Sequence, residues 1–168
     1  MNTASPRDTA RILAWLAVVL TAAFVLLGAA WYGFSSEVQH RIWQDIANRP
    51  GGPMTFRFVL QPTMATIAAW HDGMQDARLG RSPYFWTVLS NRAKRVGRLR
   101  EGLLSVSRII LLGFAMDVIY QWRVLGTFYP GEAVIITLLL AVFPYFILRG
   151  PIARIAHRWF ARSNRTPT

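Results

Sequence analysis

Arg57, Arg108 and Asp117 are charged residues set inside stretches that are otherwise apolar, and Gln61 stands next to Pro62 in the first of those stretches. An ionisable group at bilayer depth costs at least ~2.5 kcal/mol on insertion scales, so such groups pair with one another or line a polar path. A proline inside a span kinks it and frees a carbonyl that needs a partner within the protein. Asp117 is the group whose partner decides how the other segments are arranged. Measured from the centre of each span, Arg57 lies roughly 8 Å and Asp117 roughly 7 Å towards the same side. The two are expected to pair, with Gln61 one turn deeper and Tyr120 or Gln121 as substitute partners for Asp117. Arg108 sits too far along its span and is expected to snorkel inward or meet Asp72.

These residues must be positioned by spans, and the composition points the same way. The 168-residue chain is 53% hydrophobic and yet carries a formal charge of +11. That combination arises when charges are crowded into connections between apolar spans. A sequence pI near 11.5 also suits a nucleic-acid binder, but here the basic residues flank apolar runs, so an anionic lipid leaflet is the expected counterpart and no nucleic acid. With no cysteine, disulfides, thiolate metal sites and cysteine nucleophiles are excluded.

The fold expected is an all-α membrane protein with four transmembrane helices over residues 12–34, 54–71, 102–122 and 132–149. Residues 1–11 form a cytoplasmic tail, 12–151 a single transmembrane domain and 152–168 a basic amphipathic tail. The first run is uncharged over 23 residues and closes on Trp31, Tyr32 and Phe34. It is too long for a signal peptide and ends like an interfacial belt. Residues 35–49 read as a short amphipathic helix, with Ser36 and Gln39 as a capping box and Val38, Ile42 and Ile46 on one face. Pro50-Gly51-Gly52-Pro53 stops it.

Residues 72–101 form a basic loop containing the aromatic patch Pro83-Tyr84-Phe85-Trp86, and its charge marks it as cytoplasmic. Tyr129-Pro130-Gly131 suits a type II turn, which leaves Glu132 at a helix N-terminus where the macrodipole favours an acid. Pro144 is a candidate bend. Arg149-Gly150-Pro151 ends the fourth span, and beyond it Arg154, Arg158 and Arg162 oppose an apolar face with Trp159, the pattern of a helix lying on an anionic leaflet. Both termini are then inside. The alternative has three spans, an outside N-terminus and 54–71 lying shallow; it leaves Arg11 on the wrong side.

Catalytic chemistry has one candidate stretch, His71-Asp72-Gly73-Met74-Gln75-Asp76-Ala77-Arg78. It resembles the DGxxAR opening of the CDP-alcohol phosphotransferases, membrane enzymes that use metal-bound aspartates. Three residues separate Gly73 from Ala77 here where that motif has two, and no aspartate occurs between Asp76 and Asp117, so that family's two-metal site cannot be built. The plainer expectation is a helix exit at Gly73, with Asp72, Asp76, Arg78 and Arg81 in local ion pairs at the cytoplasmic surface. His40, His71 and His157 have no metal-ligand spacing, and no Walker, GxSxG or Rossmann pattern occurs. No catalytic, cofactor or metal residue is assigned.

Phe58-Val-Leu-Gln-Pro, His71-Asp-Gly with Asp76-Ala-Arg, Pro83-Tyr-Phe-Trp and Phe128-Tyr-Pro-Gly-Glu-Ala together resemble a group of uncharacterised bacterial multi-pass membrane proteins. The resemblance implies an inner-membrane location and supplies no activity. The function expected is a non-enzymatic accessory or assembly role, with a membrane-protein partner or a homo-oligomer as candidates. The alternative is a small homo-oligomeric transporter or channel with Arg57, Gln61, Arg108 and Asp117 along a polar path. A lipid-modifying enzyme is the third reading.

Overall fold

The computed structural model describes residues 5–33, 35–81 and 84–163; expectations that fall on 1–4, 34, 82–83 and 164–168 lie outside them. Seven α-helices and no strand occur among the described residues. Ser5 caps α1 (Pro6–Tyr32) by accepting from Asp8 N at 3.3 Å, and Pro6 costs nothing there because the first N–H groups of a helix lack partners anyway. Gly33, at φ 66°, ends the helix. The next helix, α2 (Ser36–Asn48), is capped by Ser35, whose Oγ accepts from Val38 N. The cap therefore sits one residue earlier than the expected Ser36–Gln39 box.

Beyond a short 3₁₀ turn at Arg49–Gly51 come α3 (Arg57–Arg78), α4 (Tyr84–Ser90) and α5 (Arg92–Tyr120). Asn91 caps α5, which runs into a π-helical turn, Gln121–Leu125, before Gly126 reverses the chain at φ 64°. The last rod is α6 (Pro130–Thr137), a second π-helical turn at Leu138–Val142, and α7 (Phe143–Ser163).

Asp8–Tyr32, Arg92–Leu125 and Pro130–Arg162 are long and apolar enough to cross a membrane. With its 22 residues α3 has the length, but Arg57, Gln61, His71, Asp72, Gln75 and Asp76 make it too polar to count among them. Helix directions follow from contacts. Phe24 meets Phe114 edge-on at 5.0 Å between centroids, and Tyr32, about two turns later, bonds to the Phe128 carbonyl beyond the end of α5. Hence α1 and α5 run the same way. The start of α3 meets the end of α5 through Arg57 and Asp117, and its end meets the start of α5 through Asp76 and Arg98, so α3 runs oppositely. The α6–α7 rod is parallel to α3, since Thr137 lies level with Gln61 and Arg149 with Asp76.

The core is built from small side chains on α3 and the last rod, Ala65, Ala69, Ala133 and Ala141, with Val106, Ile110 and Phe114 of α5 between them. Without a hydrophobic driving force in lipid, helices gain by close van der Waals approach, which small residues permit. Gly73 marks such an approach between α3 and α7: a Cβ there would stand 2.9 Å from Ile152 Cγ2 and 3.0 Å from the Arg149 carbonyl.

Several expected boundaries move. The stretch read as a 72–101 loop is mostly helix, because α3 continues to Arg78 and α5 begins at Arg92. The 152–168 tail is not a separate element, since α7 passes through Pro151 to Ser163. Proline normally ends a helix, but here Arg149 on one side and Ile152, Ala153 and Ala156 on the other are buried or half-buried, and Arg149 and Ile152 meet α3 directly. The Tyr129-Pro130-Gly131 turn is replaced by Pro130 at the first position of α6. The irregularity expected at Pro144 appears one turn earlier as the π-helical segment.

Candidate functional site at two buried charge clusters

Two groups of charged side chains lie at opposite ends of the α3–α5–α7 packing. The first forms where α3 starts. Arg57 Nη1 donates to Asp117 Oδ1 at 2.6 Å, and Arg49 Nη1 donates to the same oxygen. Through Nη2, Arg49 reaches Glu132 Oε2 at 3.0 Å, while its guanidinium lies 4.8 Å from the Tyr120 ring centroid. Gln121 binds Asp117 Oδ2 through Nε2 and holds the Tyr129 backbone at both its N–H and its carbonyl. The π-helical turn at Gln121–Leu125 is thus tied to the entry of α6. Arg49, Arg57, Gln61, Asp117, Gln121 and Glu132 are all buried. Two guanidinium and two carboxylate groups balance, which is the condition for keeping charge out of water.

The structure brings Arg57 and Asp117 together, with Gln61 one turn along α3, where its Oε1 lies 3.4 Å from Arg57 Nε. Tyr120 offers its ring to Arg49, and Gln121 bonds Asp117 alongside Arg57 instead of replacing it. Arg108 is elsewhere: it is exposed on α5, and Asp72 is taken by Tyr145 and Arg149. Sequence reasoning missed Arg49 and Glu132. It assigned Arg49 to the end of a surface helix and Glu132 to a helix dipole. The usable signal was that Glu132 opens an apolar span with no neighbouring cation of its own, while Arg49 immediately precedes the Pro-Gly-Gly-Pro reversal that leads into α3.

The second cluster forms where α3 ends. Arg98 grips Asp76 with both terminal nitrogens, at 2.8 and 3.0 Å, and Arg149 Nε adds a third bond at 2.9 Å. Tyr145 donates to Asp72 Oδ2 at 2.6 Å. Glu101 joins through Arg98 and Arg81 at 2.9 and 3.0 Å. Tyr84 of α4 packs beneath the Arg149 guanidinium, 4.1 Å from the ring centroid, and donates to the Arg98 carbonyl. Burial pushes the Tyr84 hydroxyl up to about 12. For Asp76, beyond the apolar part of α3, burial alone would raise the pKa; the bonds from Arg98 and Arg149 more than reverse this and hold it below its ordinary value.

This corrects the expected surface ion pairs. Asp76 is buried and its strong partners come from α5 and α7; Arg81 approaches only to 3.7 Å, and Arg78 instead lies over Phe160, 5.8 Å from its centroid. The carboxylates of the DGxxAR-like stretch therefore face arginine and tyrosine donors. Among the described residues no group of three or more histidines or acids is placed to hold a metal. Arg154, Arg158, Trp159 and Arg162 are exposed at the end of α7.

Compared with protein-family models, curated proteins and solved structures, the chain matches none.

Proposed function

We propose that the chain is a bacterial inner-membrane protein of four spans with both termini inside, and that it works by association, as an accessory or assembly partner, without catalysis. The observation that carries this reading is that the buried ionic groups engage one another across helices. Charge here locks the bundle and leaves its outer surface to meet other molecules. That surface includes α1, whose Trp15, Leu26 and Trp31 are more than half exposed.

The fourth span is α3. Its ends are paired to the two ends of α5, and the 18 residues 54–71 cover about 27 Å at helical rise, close to the hydrocarbon thickness of ~30 Å, with Asp76 beyond them. The parallel course of α1 and α5 supports this reading, since it leaves α3 as the return between them. The strongly basic residues, Arg92, Lys94, Arg95, Arg154, Arg158 and Arg162, fall at the end where α5 starts and α7 finishes, in keeping with a cytoplasmic face.

Purification in mild detergent followed by mass spectrometry is the test, together with topology reporters at the N-terminus, residue 53 and residue 80. A co-purifying foreign subunit, with reporters inside, outside and inside, is expected. An outside N-terminus would overturn the four-span arrangement. The second reading, a homo-oligomeric transporter, is favoured by Arg57, Gln61, Thr137, Tyr145 and Asp72, polar groups that follow one another along the interior where α3 meets the last rod. A stable homo-oligomer that passes ions or solutes in liposomes would replace the first reading with this one.

A further inference from the structure

A cavity of about 330 Å³ lies between the end of α1, α2 and the start of α6, within the size range of small-molecule sites. Its wall is apolar over Val25, Ala29, Ile42 and Ile135, and Arg41 and Glu132 are its charged members. Glu132 is fully buried, at 0% exposure. Its Oε2 is satisfied by Arg49, but among the described residues nothing donates a hydrogen bond to Oε1. A buried carboxylate oxygen without a donor is costly. Besides Arg49, a second cation faces this oxygen: Arg41 Nη1 stands 3.9 Å away, beyond hydrogen-bond length. The Arg41 guanidinium rests over the Tyr129 ring at 3.7 Å from the centroid and remains partly exposed. Trp43, more than half exposed, stands at the rim.

We infer that this crevice binds one phospholipid, with an acyl chain along the apolar wall, the phosphate on Arg41 and a head-group N–H or O–H donor on Glu132 Oε1. The donor reaches Oε1 as the Arg41 guanidinium swings off the carboxylate towards the phosphate. An adjacent anion and cation, one of them lacking a donor, complement a head group that carries a phosphate acceptor and a proton donor close together. Phosphoethanolamine and phosphoglycerol heads both meet that description. Phosphocholine does not, because its quaternary nitrogen has no hydrogen to give. The half-buried apolar face of α2, Val38 and Ile42, forms part of the same wall, which gives this amphipathic helix a role beyond resting on the bilayer.

The inference rests on the bundle lying in a membrane and is independent of the accessory role. The test is native mass spectrometry and thermal unfolding of the full-length protein in detergent with phosphatidylethanolamine, phosphatidylglycerol or phosphatidylcholine of identical chains. One retained ethanolamine or glycerol lipid with a raised unfolding temperature is expected, and whichever is retained identifies the head group. Ile135→Trp, which fills the crevice while leaving every charged side chain in the sequence, should reduce retention at least tenfold with unchanged helicity. Arg41→Gln should weaken retention through loss of the phosphate contact. Equal retention of phosphatidylcholine, unaltered retention in Ile135→Trp, or no retained lipid at all overturns the site. Topology reporters inside, outside and inside alongside such a result would show that the site has failed while the membrane arrangement stands.

Discussion

Asp76 on α3 and Arg149 on α7 are bonded at 2.9 Å although 73 positions separate them in the chain. Arg98 of α5 holds the same carboxylate from a third helix. A single buried acid therefore fastens α3, α5 and α7 at one end of the bundle, where a Cβ on Gly73 would already crowd α7.

Removing that acid should be severe. Asp76→Asn leaves Arg98 and Arg149 without their buried counter-charge, with only the more exposed Glu101 still shared between them, and breaking a buried pair costs about 3–5 kcal/mol. Thermal unfolding in detergent should show a large fall for Asp76→Asn. Asp72→Asn should fall less, because Asp72 is partly exposed and its one short bond, from Tyr145, is joined only by longer contacts from His71 at 3.4 Å and Arg149 at 3.6 Å. Equal losses in the two variants would remove Asp76 from its central place.

The same carboxyl carries a pH signature. Burial opposes its ionisation, the bonds from Arg98 and Arg149 outweigh burial, and the folded pKa lies below the ordinary 3.8. The unfolded chain then takes up the proton first as pH falls, so this contribution is complete above the ordinary value and is lost as pH drops through the folded one. Unfolding temperatures should change little on account of Asp76 down to about pH 5 and decline below about pH 4. Asp76→Asn should start lower and show a shallower acid decline. Parallel acid declines in both proteins would contradict the assignment.

In the first cluster the charges balance only as a set. Arg57→Leu leaves Arg49 facing two carboxylates, and Asp117→Leu leaves two arginines facing Glu132. Each single change should destabilise by about 3–5 kcal/mol, whereas the double change keeps the neutral Arg49–Glu132 pair and should recover much of the loss. Unfolding of the four proteins measures the coupling directly. A double variant as poor as the sum of the singles means that the two residues are not energetically coupled.

Packing gives a contrast between glycines. In Gly73→Ala the new methyl meets Ile152 and the Arg149 carbonyl, and the carbonyl is backbone that cannot turn aside. Overpacking of this kind costs about 1–3 kcal/mol. Gly97→Ala on α5 meets nothing within 4 Å, and replacing a helical glycine there should stabilise by about 0.5–1 kcal/mol. Thermal unfolding of the two variants should therefore move in opposite directions.

At the end of α7, Arg154, Arg158 and Arg162 are exposed and available to an anionic leaflet. Replacing all three with glutamine should lower the anionic lipid that co-purifies with the protein, and high salt should lower it in the unaltered protein, since screening shortens the attraction. Anionic lipid content indifferent to both treatments would mean that these arginines do not bind the leaflet.

Hydropathy by itself determined the helical class and the three long apolar rods, because burying a backbone in lipid requires helices and long apolar runs announce them. Depth along a helix follows from counting residues, so Arg57 and Asp117 could be matched before any packing was known. Only the tertiary structure decided that Arg49 and Glu132 complete that cluster, and that Asp76 bonds Arg98 and Arg149 instead of its sequence neighbours. Those partners lie 22 to 83 residues apart, and no periodicity encodes which helices stand side by side. The same is true of Pro151. Local chemistry ends a helix there, but a buried ion pair before it and close packing against α3 after it carry α7 through.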